Sequence, residues 1–63
     1  MCLSNVYHDS ISEENLILGN VQRIDCGDDE VVLTDLMGRE VVVEGRLIYV
    51  DLIENRAVVQ KIA

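Results

Sequence analysis

Proline, phenylalanine and tryptophan are absent from this sequence of 63 residues, tyrosine occurs only as Tyr7 and Tyr49, and histidine only as His8. With 49% of the residues hydrophobic and almost none of them aromatic, the core must be aliphatic. Cations are equally scarce. Arg23, Arg39, Arg46, Arg56 and Lys61 stand against twelve carboxylates, for a net charge of −7. A chain that binds nucleic acid presents a basic patch or stripe, and five cations spread along the whole sequence do not make one, so RNA is disfavoured as a partner. An acidic surface suits solubility and draws cations instead.

The two cysteines, Cys2 and Cys26, allow one disulfide at most. Nothing resembles a secretory signal, with its basic start and apolar stretch, so free thiols in a reducing cytoplasm are expected. No run approaches the roughly 20 apolar residues of a membrane span. A Gly-rich phosphate loop, a Ser/His/Asp order with room for a triad, and paired acids in a cleft are all missing, which argues against an enzyme. Residues 1–63 are read as one domain, close to the size at which a single core is marginal, because so short a chain buries only about 60% of its unfolded surface. Oligomerisation is the expected supplement.

What is present is strand chemistry. The segments 3–7, 21–25, 31–34, 40–43, 47–52 and 56–62 are short, rich in β-branched residues and bounded by turn signals. Gly27-Asp28-Asp29, Met37-Gly38-Arg39 and Glu54-Asn55 separate successive strands as hairpin turns do. In 21–25, alternation sets Val21 with Arg23 and Asp25 against Gln22 with Ile24, which leaves the facing of that strand open. In the last strand Ala57, Val59 and Lys61 oppose Val58, Gln60 and Ile62. The segment from His8 to Glu14 carries helix-start residues but is read as a loop or a single turn, since Gly19 follows too soon for a sustained helix. About six short antiparallel strands in so small a chain favour a partly open barrel or curled sheet, in which closure hides unpaired edges.

The most informative residue for function is Cys2. Removal of the initiator methionine would leave a free α-amine and a thiol on one α-carbon, able to close a five-membered chelate ring on a metal; with Met1 retained, the donors are the thiolate and backbone nitrogen. The thiolate is common to both.

Met1-Cys2 followed by an aliphatic residue, and Gly45-Arg46-Leu47-Ile48-Tyr49-Val50-Asp51-Leu52 followed by Glu54-Asn55-Arg56-Ala57-Val58-Val59, resemble the opening and the closing strands of the CooT family of small nickel-binding proteins. The length agrees, so the resemblance covers almost the entire chain. It implies an SH3-like small β-barrel, a homodimer, and one Ni(II) held between two subunits through Cys2 of each. A more distant likeness is to the HypC-type chaperones of hydrogenase maturation, which usually place a proline soon after the N-terminal cysteine; this chain has none. Members of the CooT family also carry an RNA-binding label, which the acidity here opposes.

A two-fold axis pairs Cys2 with its copy without any further ligand in the sequence. Two thiolates and two backbone or terminal nitrogens form a planar donor set suited to Ni(II) or Cu(II), whereas tetrahedral Zn(II) usually takes four side-chain ligands. Cys26 has no CxxC partner and lies in a turn. His8 would assist only if the chain returned it to Cys2, and the acidic stretches Asp28-Asp29-Glu30 and Glu13-Glu14 lack the spacing of a calcium loop. The expectation is therefore a cytoplasmic homodimeric nickel carrier or metallochaperone, with Cys2 as metal ligand and a nickel enzyme as client. The alternative is an SH3-like or OB-like interaction module that binds a protein partner or RNA and for which Cys2 is incidental.

Overall fold

β-Branched stretches separated by hairpin turns fold here into five strands that close on themselves. The computed structural model describes residues 3–62. Its elements are β1 (Ser4–His8), a single 3₁₀ turn (Glu13–Asn15), β2 (Leu16–Cys26), β3 (Glu30–Asp35), β4 (Glu40–Asp51) and β5 (Arg56–Lys61). The strands form a closed barrel in chain order. Four of the five seams are antiparallel; the seam that closes the barrel joins β1 and β5 in parallel, with Asn5 opposite Arg56 and His8 opposite Val59.

The expected small all-β barrel is thus present, closed rather than partly open, and with five strands where about six were expected. The segments 40–43 and 47–52 are two halves of one strand. β4 pairs with β3 through Glu40–Glu44 and with β5 through Gly45–Asp51. Gly45, which reads as a break in the sequence, is instead a close crossing. A Cβ there would run into the Gln60 carbonyl oxygen and lie 2.9 Å from Val59 Cγ1.

β2 is shared in the same way. Its first half pairs with β1 and its second half with β3. Between Val21, opposite Asp35, and Arg23, opposite Thr34, the register slips. The extra residue is Gln22, a β-bulge that resets the alternation. This is why the facing of 21–25 could not be read from period two: Val21 is 3% exposed and Ile24, three residues on, also packs against the core.

The core is aliphatic, as the composition requires. Val6, Val21, Val31, Leu33, Val43, Ala57 and Val59 are buried together, with Ile17, Leu18, Ile24, Val41 and Leu47 against them. Both tyrosines lie outside it. Val58 alternates away from the core, yet is only 5% exposed. Its neighbours across the two adjoining seams are Tyr7 and Tyr49, so the two rings flank it on the outer face. Two aromatic residues thereby extend apolar burial to a surface valine, worth about 1.5–3 kcal/mol when complete.

The loop between β1 and β2 contains one 3₁₀ turn, in keeping with the reading of 8–14. It is tied back by Asn15, whose Nδ2 donates to the His8 carbonyl at 3.0 Å.

Candidate metal centre

Cys2, the expected ligand, lies outside the described residues. The described residues do fix where the strand that follows it begins. Leu3 is half-buried and leads into β1, whose first residue, Ser4, pairs with Val21 of β2. On the other side the Asn5 N–H donates to the Asn55 carbonyl at 3.0 Å, and Asn5 stands opposite Arg56. The start of β1 is therefore held between β2 and the β4–β5 turn.

That turn is organised by Asp51. The Ile53 and Glu54 N–H groups both donate to Oδ1 at 3.0 Å, and the Tyr49 hydroxyl donates to Oδ2 at 3.2 Å. The Glu54 N–H is the strongest influence in holding the Asp51 carboxyl below the usual carboxylate range; desolvation opposes it, and the Ile53 N–H, the Tyr49 hydroxyl and the Arg56 charge add to it. Asn55 completes the turn in the left-handed region, at φ 57°. The Val-Asp-Leu sequence thus has a local role: its aspartate ties the turn, and the residues after it, Leu52 and Ile53, are thrown outward at 80% and 88% exposure.

His8 is carried to the other end of β1. It lies four positions on from Ser4, roughly 13 Å along a strand. Its Nδ1 lies 3.0 Å from Asp9 Oδ2, and Asp9 Oδ1 accepts the Lys61 N–H at 3.2 Å. The bond to His8, then that from Lys61, holds the Asp9 carboxyl below its ordinary range. Cys26 is exposed at the end of β2, opposite Val31 and five residues beyond the partner of Ser4. Among the described residues no three His, Cys, Asp or Glu side chains gather as a metal ion would need. The acidic β2–β3 turn borders an open groove of about 790 Å³ that Arg46 and Lys61 also line.

The arginines are mostly paired with neighbouring carboxylates. Arg23 pairs with Asp25 (3.0 Å), Arg39 with Asp35 (2.7 Å) and Arg46 with Asp29 (3.1 Å), while Arg56 faces Asp51 across β4 and β5. Three of the four are thus paired with a carboxylate, and the Arg56 Nε is buried, so these residues offer little bare basic surface of the kind that tracks a phosphate backbone.

Asp35, not singled out from the sequence, is the one buried charged residue among those described, at 1% exposure. Burial pushes its carboxyl upward, but the Arg39 N–H and guanidinium, with the Met37 N–H, more than reverse this and hold it below the usual range. The available signal was an aspartate opening a tight turn, with an arginine four residues on.

The barrel is similar to the crystal structure of a protein assigned as CooT from Carboxydothermus hydrogenoformans, with a TM-score of 0.83 over 98% of this chain and 100% of that one. Only 16% of residues are identical, so this likeness speaks to the fold. No curated protein matches the chain. The family model described as CO dehydrogenase accessory protein CooT matches residues 1–60. From its first residue to the end of its last strand but one residue, the chain belongs to the CooT family of CO dehydrogenase accessory proteins.

Proposed function

We propose that this accessory protein is a cytoplasmic nickel carrier that works without catalysis: a homodimer holds one Ni(II) through the Cys2 thiolates of its two chains and passes it to a client nickel enzyme. The observation that carries the reading is the position of Cys2, two residues ahead of β1, in a chain that the family model matches from residue 1. The described residues supply no clustered donor set of their own, so the ion draws its other donors from backbone or terminal nitrogens and from the second copy. Thiolate and nitrogen donors in a plane suit Ni(II).

Delivery follows from how few ligands are involved. A client can displace two thiolates and their neighbouring nitrogens one after another, which a closed four-side-chain cage resists. Because the donors must lose protons to bind, affinity rises with pH. The described residues contain no helix long and apolar enough to cross a membrane.

The test is a Ni(II) titration of the wild-type and Cys2→Ser proteins, read by thiolate-to-metal charge-transfer absorbance and by native mass spectrometry. One nickel per two chains, with thiolate bands lost in the serine variant, supports the reading; full-strength binding by Cys2→Ser sinks it. A protein-binding module is the second reading, favoured by the exposed apolar residues of the β4–β5 hairpin, and it predicts binding of a protein partner that is indifferent to Cys2.

A further inference from the structure

β4 is longer than either of its neighbours, and neither covers it whole. It pairs with β3 over Glu40–Glu44 and with β5 over Gly45–Asp51. Two bonds mark the changeover. The Gly45 N–H donates to the Asp29 carbonyl on the β3 side, and the Ile62 N–H donates to the Glu44 carbonyl on the other, each at 3.0 Å. Backbone groups of successive residues in an antiparallel strand point to opposite edges. Val41 and Val43 therefore direct their N–H and C=O groups at β3, while those of Glu40 and Val42 point to an edge where no strand lies among the described residues. Beside that edge is a groove of about 360 Å³ lined by Ile17, Val42, Val43, Glu44 and Lys61. It lies at the His8 end of the barrel, away from the start of β1, because β1 runs parallel to β5 and His8 stands opposite Val59.

An open strand edge is a template for another strand, and its side chains select which one. Val43 points into the core, so Glu40, Val42 and Glu44 stand on the outer face, all three exposed. Glu44 also faces Glu30 directly across the β3–β4 seam. Like charges so placed repel. Among the described residues, none of Glu30, Glu40 and Glu44 has an ion-pair partner.

We propose that the Glu40–Glu44 edge of β4 takes up, as an added strand, an extended segment of a protein partner that carries basic residues four positions apart with aliphatic residues between them. The backbone of the segment pairs with Val42. Its basic side chains stand beside Glu40 and Glu44 and relieve the repulsion from Glu30, while its intervening aliphatic residues cover Ile17. A second copy of the chain is a poor occupant, since antiparallel pairing of two such edges about Val42 sets Glu40 against Glu44 of the second copy. The surface is remote from the start of β1, so the inference does not rest on Cys2 as a ligand.

The experiment titrates isotope-labelled protein, read by two-dimensional amide NMR, with the capped peptide Lys-Val-Thr-Val-Lys. The comparison peptides are a version with glutamate for lysine and two versions N-methylated at alternate residues, one in each phase. The protein variants are Val42→Pro, which removes an N–H on the open edge and none that pairs with β3, and Glu40→Lys/Glu44→Lys. Amide spectra unchanged elsewhere in the barrel establish that each is folded. The basic peptide is expected to shift the amides of residues 40–44, with binding lost on methylation in one phase and kept in the other. Val42→Pro should weaken it at least ~10-fold, and the double variant should prefer the glutamate peptide. Equal binding of both methylated peptides would mean attraction of charge without strand pairing, and it overturns the proposal. Shifts centred elsewhere, a folded Val42→Pro chain of undiminished affinity, or no binding at all do the same. Identical shifts on concentrating wild type alone would name a second copy as the occupant and overturn it as well. Should Val42→Pro not fold, the methylated pair decides.

Discussion

Arg39 and Asp35 close the β3–β4 turn upon itself: the Arg39 Nε donates to Asp35 Oδ2 at 2.7 Å, and the Arg39 N–H donates to Oδ1 at 2.8 Å beside that of Met37 at 2.9 Å. The carboxylate is buried, while the arginine side chain is 75% exposed. Most of the value of this arrangement therefore lies in the two backbone donors. Asp35→Ala leaves both without a partner and lowers Tm by on the order of 10 °C. Arg39→Met retains the N–H and costs only a few degrees at most, because its ion pair is solvated on one side. Thermal melts by circular dichroism separate the two; equal losses would assign the effect to the guanidinium.

Acid should undo the same bonds. Asp9, Asp35 and Asp51 all have carboxyls held below the ordinary range in the folded chain. A depressed folded pKa gives stability that is fully present above the unfolded value, near 3.8, and is lost as pH falls from there through the folded value. Tm should be insensitive to these three groups near neutrality and drop steeply below about pH 4. An Asp35→Asn chain, less stable at pH 7, should show a flatter acid limb. Melting across pH 2–7 checks both, and parallel curves would show that Asp35 is not part of the acid transition.

Two glycines separate steric from conformational need. Gly45 has no room for a Cβ against the Gln60 carbonyl, whereas a Cβ on Gly38 would meet nothing within 4 Å but would sit at φ 85°. Gly38→Ala should cost about 1 kcal/mol, the penalty of a left-handed alanine. Gly45→Ala should cost several times more, because backbone and not a flexible side chain is in the way. Urea unfolding ranks them, and the reverse order would mean that β4 and β5 can part locally at little cost.

Neither Cys26 nor His8 is expected to matter for metal. Cys26→Ser and His8→Gln should keep the nickel stoichiometry of wild type, since β1 and β2 carry both residues away from the start of β1. In the apo protein Cys26 should react readily with a thiol reagent because it is exposed. Loss of nickel from either variant in native mass spectra would place a second donor at the site.

Strand chemistry and the aliphatic core were legible because β-branched runs and turn residues act locally: the turns at Gly27, Met37-Gly38 and Glu54-Asn55 fall where the residues suggest. What was not legible depended on neighbours across the sheet. The bulges at Gln22 and Ile48 shift the alternation by one residue, and no run of side chains announces them. Gly45 reads as a boundary when considered alone and as a crossing point only beside Gln60. Val58 alternates to the outside and becomes buried only because Tyr7 and Tyr49 arrive from strands far apart in sequence. At the candidate site, Cys2 was prominent by position, whereas Asp51 was part of a resemblance whose physical sense, a tied turn beside the start of β1, required the hydrogen bonds.

The parallel seam between β1 and β5 also governs when the barrel can close. Asn5 and Arg56, opposite each other in this seam, lie far apart in sequence, so closing it costs more chain entropy than forming any of the three hairpins. Those hairpins, from β2 to β5, can form from contacts between neighbours in sequence, but the place beside Asn55 and Arg56 where β1 is fastened exists only once the β4–β5 turn has formed. The start of β1 is accordingly the last edge of the barrel to be held.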